Sequence, residues 1–239
     1  MYGRDYVFVA LLITAATGAC ATASAVETGT LLLFDEQQQG AKTVHRARMI
    51  VAPRYLRIDD GNDDGDFLLF DRANKTVYAT NSFDRRILVI KARPVDLLPP
   101  QVFTHRTERD DAKYPNVDGR RVKHYRLFTN DQKCYDVFAT QGLLSDARQA
   151  LREYRLTLAG EQAANAKYTP NEMQSVCDLA NNIFVPARHL EYGFPIRQQD
   201  MTGAIRQLVD YQTDYELDAN LFRLPKGYTR YTMDDMRVR

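Results

Sequence analysis

Residues 60–71 read DGNDDGDFLLFD and set oxygen ligands at the spacing of a calcium loop. Asp60, Asn62 and Asp64 occupy the first, third and fifth of twelve positions, Gly65 the sixth and Asp71 the twelfth. A calcium loop must fold its twelfth residue back onto the ion, between two helices. Here YLRI and FLLF on either side have the character of strands. Four extended residues at ~3.3 Å each would carry Asp71 about 13 Å beyond Gly65. The stretch is therefore expected to be a hairpin connection, with Gly61 and Gly65 free to take positive φ. Asp60, Asn62, Asp64 and Asp66 remain as a weak alternative calcium site.

Other chemistry is sparse. The four histidines, His45, His105, His124 and His189, fall at no metal-ligand spacing, and both His124 and His189 are expected on strand surfaces. Beyond residue 25 the serines are Ser82, Ser145 and Ser175, none within G-x-S-x-G. Glycine-rich phosphate loops are absent, and the paired acids at 59–60, 63–64 and 110–111 read as solubilising turns. No nucleophile, base and orienter assemble from these residues, so neither catalysis nor a cofactor is expected. The formal charge of +1 has no basic stripe, and no nucleic-acid partner is expected.

The first 25 residues carry an export signal. YVFVALLITAATGA (6–19) is too short to span a bilayer, and Ala23 and Ala25 supply small residues for cleavage after Ala25. Thr17-Gly18-Ala19-Cys20 is a loose lipobox, so a lipid anchor on Cys20 is the alternative. Both outcomes export the chain, to the periplasm or to a membrane facing it. Cys134 and Cys177 then remain, and in an oxidising compartment they are expected to pair. Beyond the signal no apolar run approaches membrane-spanning length.

The elements that must position these residues form one domain over 26–239, of α+β class and mostly antiparallel β. From Val26 to about Arg93, the runs TLLLF, TVHRARMIV, RYLRI, FLLF, TVYAT and RRILVI alternate with turn formers, as in a meander. Residues 94–119, with three early prolines, predict an irregular surface excursion. GRRVKHYRLF and KCYDVFAT predict a second hairpin. Helical periodicity over 145–160 starts at a Ser145 cap and stops at Gly160. Thr169-Pro170-Asn171-Glu172 is a capping box opening a helix over 169–183 that turns Cys177 inward, toward Cys134.

Alternation returns after residue 189. Leu190, Tyr192, Phe194 and Ile196 share one face, and Val209 and Tyr211 continue it, with Gln207 and Leu208 breaking the rule. This stripe has two readings: the ordinary inner face of a covered sheet, or the lining of a groove for a hydrophobic ligand.

Strands, excursion, strands and helices in this order suggest a curved, half-open β-barrel-like sheet covered by two or three helices. With YLRIDDGNDDGDFLLFDRANKTVYATN, KCYDVFA and the late LFRLPKGY, the chain resembles the outer-membrane lipoprotein carrier and receptor (LolA/LolB-like) superfamily. The resemblance implies a concave apolar face that shelters acyl chains, and hence an exported, non-enzymatic binder or chaperone of lipid or acylated protein. The alternative is a structural or protein-interaction module of the envelope with a filled core.

Overall fold

The computed structural model describes residues 27–170 and 173–237. The expected export signal and its cut at Ala25, Cys20, and Asn171 and Glu172 of the expected capping box lie outside the described residues. Among the described residues no helix is long and apolar enough to cross a membrane.

The expected meander forms β1 (Thr28–Gln37), β2 (His45–Val51), β3 (Tyr55–Asp59), β4 (Phe67–Asp71), β5 (Thr76–Asn81) and β6 (Arg86–Lys91). Its turns use the predicted chemistry: Gly61 takes φ +94°, and Asp71 accepts hydrogen bonds from the Asn74 backbone N–H and side chain. Gly65, by contrast, is outside the positive-φ region. A second run of strands follows: β7 (His105–Arg109), β8 (Val122–Thr129), β9 (Gln132–Thr140), β10 (Phe194–Asp200) and β11 (Ile205–Glu216). With β12 (Thr229–Tyr231), the described strands form one open sheet in the order β12-β6-β5-β4-β3-β2-β1-β11-β10-β9-β8-β7. Neighbours are antiparallel except β12, which lies parallel to β6. The two runs meet where β1 pairs with β11.

The 94–119 excursion contains a strand, β7, where only irregular chain was expected. HRTER has no apolar period to betray it. The strand exists because β8 offers a ladder, and because buried Arg188 donates to the carbonyls of Arg106 (2.7 Å) and Phe128 (3.0 Å), clasping both strands.

Both helix boundaries also differ from expectation. α1 (Ser145–Ala166) continues past Gly160, and Leu144, in the left-handed region, precedes it with no side-chain cap. Gly160 is there for contact, not termination: a Cβ at this position would lie 2.1 Å from the Arg93 carbonyl oxygen. Gln174 instead closes the helix end, donating to the Ala166 and Thr169 carbonyls. The second helix, α2 (Val176–Leu179), starts seven residues later than the capping box predicted. Ser175 caps it, its hydroxyl accepting from the Cys177 and Asp178 N–H groups. α2 then widens into a π-turn, Ala180–Phe184. A last helix, α3 (Met233–Arg237), follows β12.

The main core gathers Leu32, Phe34, Met49, Val51, Leu56 and Phe70 from the sheet against Leu143, Ala147, Ala150 and Leu151 of the α1 region. Cys134 on β9 and Cys177 on α2 are bonded to each other, as expected, and both are buried.

Candidate functional site

The predicted lining separates into three environments. Leu190 and Phe194 are fully buried in the main core, with Ile196 and Tyr211 partly buried against it. Tyr192 instead joins a second cluster, stacked on Tyr125 at 4.4 Å with its hydroxyl 2.7 Å from Thr107 Oγ1. Val209 is 46% exposed. The reason is a pair of register shifts. Between Leu33 and Phe34 the pairing with β11 skips from Asp210 to Leu208, so Val209 is an extra residue, turned outward. Ile196 is likewise skipped in the pairing of β10 with β9. Strict alternation fails at such bulges, which explains why Leu208, not Val209, reaches the core. Leu190 lies in a 3-10 turn, Arg188–Leu190, ahead of the strand.

Little space is left beside Leu190 and Phe194. A cavity of about 20 Å³ lies there, its apolar side made by Phe34, Leu151, Leu190 and Phe194. That is room for roughly one water molecule. Its polar side is made by Arg155 of α1, His189, Gln198 of β10 and Arg206 of β11. His189 is buried, not on a strand surface as expected. Burial, helped by the fields of Arg155 and Arg206, pushes its imidazole down to about 3, so the ring is neutral at physiological pH. Burial also pulls the Arg206 guanidinium below its ordinary value. It still remains charged near neutrality.

The acidic loop closes on itself. Asp60 accepts from the Asn62 N–H (2.9 Å), Asn62 from the Asp64 N–H (3.2 Å), and Asp66 from the Ser82 N–H (2.7 Å). Asp71 sits at the far end of β4, where Arg54 reaches it. Oxygen atoms engaged in this way do not converge on an ion. Among the described residues no group of three or more His, Cys, Asp or Glu side chains is placed to hold a metal.

A second polar constellation surrounds His124. Its Nδ1 lies 2.5 Å from Asp110 and its Nε2 2.9 Å from Asp136, while its ring stacks on Phe138 at 4.3 Å. The Tyr114 hydroxyl donates to Asp110, and Lys133 pairs with Asp136. This cluster borders a polar cleft of about 660 Å³. Carboxylates on both ring nitrogens leave neither nitrogen for a substrate; they tie the 110–114 segment to β8 and β9. Sequence spacing gave no hint of it, because Asp110 reaches His124 only through the pairing of β7 with β8.

This cluster predicts acid sensitivity. The hydrogen bond from His124 holds Asp110 below its ordinary value. Burial pushes Asp136 up, but hydrogen bonds from Lys133 and His124 outweigh it, leaving Asp136 below its ordinary value too. A depressed folded-state carboxylate stabilises above its unfolded value and loses that contribution as pH falls through the folded one. Urea unfolding free energies are therefore expected to drop as pH falls below about 4, the ordinary carboxylate range. In Asp136→Asn that drop should be shallower; an unchanged acid limb would refute the assignment.

No protein-family description matches this chain, and no curated protein matches it. Among solved structures it is similar to an uncharacterized conserved protein from Thermus thermophilus, at 13% identity and TM-score 0.43, covering 87% of this chain and 91% of that one. It is also similar to PNGF-II in a C2 crystal form, at 12% identity and TM-score 0.42, covering 86% of this chain and 31% of that one.

Proposed function

We propose that this chain is an exported, non-enzymatic protein-interaction module of the cell envelope. In this reading its sheet curves as a half-open barrel, and its own helix α1 fills the concave side. The observation carrying the reading is the 20 Å³ cavity between α1 and the Leu190–Phe194 part of the predicted lining. An acyl chain of several methylenes needs many times that volume, and Leu190 and Phe194, which would line its groove, are already packed. Curvature is supported by the bulges at Val209 and Ile196, since bulges bend a sheet and increase its twist. The resemblance to the lipoprotein carriers supports the envelope setting.

A second reading, a carrier of lipid or acylated protein, is favoured by one feature of α1. Its buried face is mostly alanine: Ala147, Ala150, Ala159, Ala163 and Ala166 around Leu151. Small side chains bury little apolar area, and ion pairs from Arg72 to Asp146 and Glu153 and from Arg93 to Glu161 do much of the fastening. Such a helix is easier to displace than one anchored by large residues.

Native mass spectrometry of protein purified from envelope extracts separates the two. The filled-core reading expects the bare polypeptide mass. A population carrying an additional acyl-lipid mass would overturn it and favour the carrier.

A further inference from the structure

We infer that the notch between α1 and the β10–β11 pair binds a phosphate group, held by the guanidinium groups of Arg155 and Arg206 with His189 and Gln198 beside them. This inference does not rest on the filled-core reading. It rests on an imbalance of charge at a defined place.

Four polar side chains from four separate segments line one small cavity: Arg155 from α1, His189 from the 3-10 turn, Gln198 from β10 and Arg206 from β11. Several other buried or partly buried arginines meet carboxylates, and Arg188 and Arg148 meet backbone carbonyls. Arg48 and Arg57 share Asp59, Arg72 binds Asp146 and Glu153, and Arg93 binds Glu161. At the notch such partners are scarce. Among the described residues the Arg155 side chain has no hydrogen bond or ion pair. Arg206 faces only Glu36, at 3.1 Å from Nε, and that carboxylate is 42% exposed. Its Nε is buried without a well-formed hydrogen bond. His189, 4% exposed, makes ring contact with Tyr135 but no hydrogen bond among the described residues.

Two cations held close together beside an apolar wall repel each other and lose hydration, a cost that a bound anion offsets. The wall also strengthens the attraction, because Phe34, Leu190 and Phe194 keep water from one side. The Phe34 ring centroid, 4.1 Å from Arg206 Cζ, holds that guanidinium in place. Neutral His189 retains one N–H to donate to an oxygen.

Size and charge choose the ligand class. About 20 Å³ admits one oxygen atom of a larger group, while the remainder stays at the mouth. A phosphate monoester carries about −1.5 to −2 near neutrality and three acceptor oxygens, enough to engage both guanidinium groups while Arg206 keeps Glu36, whereas a carboxylate offers only two oxygens. The group has two sources, free phosphate or the headgroup of an anionic lipid.

The test titrates the full chain with inorganic phosphate in a phosphate-free buffer, against sodium chloride of equal ionic strength, by calorimetry and by melting. We expect saturable binding and a rise in melting temperature that chloride does not reproduce. Arg155→Gln and Arg206→Gln should each weaken binding at least tenfold, and Arg152→Gln, on the exposed face of α1, should leave it unchanged. In the absence of phosphate Arg155→Gln should melt no lower than the parent, since it removes a cation that has no ion-pair partner among the described residues. Should a glutamine variant not fold, Arg155→Lys, which keeps charge but loses the planar fork, should bind more weakly than the parent.

Cosedimentation with phosphatidic acid vesicles, but not with phosphatidylcholine vesicles, that is lost in the arginine variants assigns the headgroup as source. Phosphate binding without vesicle binding assigns the free ion. Absence of saturable phosphate binding, or equal binding by the parent and both notch variants, overturns the inference.

Discussion

Replacing Arg57 by alanine is expected to lower the unfolding free energy by roughly 3–5 kcal/mol, the range for removing one partner of a buried ion pair. Arg57 is 1% exposed. Its Nε donates to Asp59 at 2.5 Å, its Nη1 to the Leu221 carbonyl at 2.5 Å and its Nη2 to the Asp63 carbonyl at 3.2 Å. Its guanidinium carbon also lies 4.0 Å from the Phe67 ring centroid. One side chain thus joins β3, the acidic turn and the Ala219–Phe222 segment that leads to β12. Truncation strands the buried Leu221 carbonyl and leaves Asp59 with Arg48 as its one ion-pair partner among the described residues. Burial pushes Asp59 up, yet the hydrogen bonds from Arg48, Arg57 and Gly61 bring it below its ordinary value, so the pair acts as an ion pair at neutral pH. Chemical denaturation checks the figure. A loss under about 1 kcal/mol, the size of an exposed surface pair, would show that Arg57 is not the fastener described here.

Removing the Cys134–Cys177 bond should cost nearly as much. The bridge joins residues 43 apart in sequence. Closing a loop of that size restricts the unfolded chain by about 4 kcal/mol in the chain-entropy account. Cys134→Ser, Cys177→Ser and the double variant are expected to be destabilised to a similar degree, because the first substitution already abolishes the link. Urea midpoints of the three variants, with the oxidised and reduced parent as references, measure this. Losses that add in the double variant would mean that each cysteine contributes separately, through its own packing.

The covalent link was legible because two cysteines remain beyond the expected export signal, and because Val176 and Cys177 fall on an inward helical face. β1 to β6 were legible for a related reason: apolar runs such as TLLLF and RRILVI alternate with turn formers that have few other uses. What escaped was whatever depends on partners distant in sequence. HRTER becomes β7 only beside β8, under Arg188. Gly160 carries the mark of a helix end, yet its missing side chain makes room for the Arg93 carbonyl. Thr169-Pro170 punctuates more loudly than Ser175, but Ser175 makes the cap at the helix that carries Cys177.

At the candidate site the stripe does face the main core at Leu190, Phe194, Ile196 and Tyr211. The alternation failed at Val209 and Tyr192, because bulges and a 3-10 turn break the two-residue period there. The cluster of Arg155, His189 and Arg206 had no sequence signal at all. Its members are 34 and 17 residues apart, and only the pairing of β1 with β11 beside α1 brings them together.

Amide hydrogen exchange across α1 probes the filled core most directly. If α1 is a permanent part of the core, the amides of Ala150, Leu151 and Ala163 exchange only when β1 and β2 do, through global unfolding. Protection of those three amides several kcal/mol below that of the Leu32 and Met49 amides, with the sheet intact, would reveal a helix that swings away, and the account of a filled concave face would be wrong.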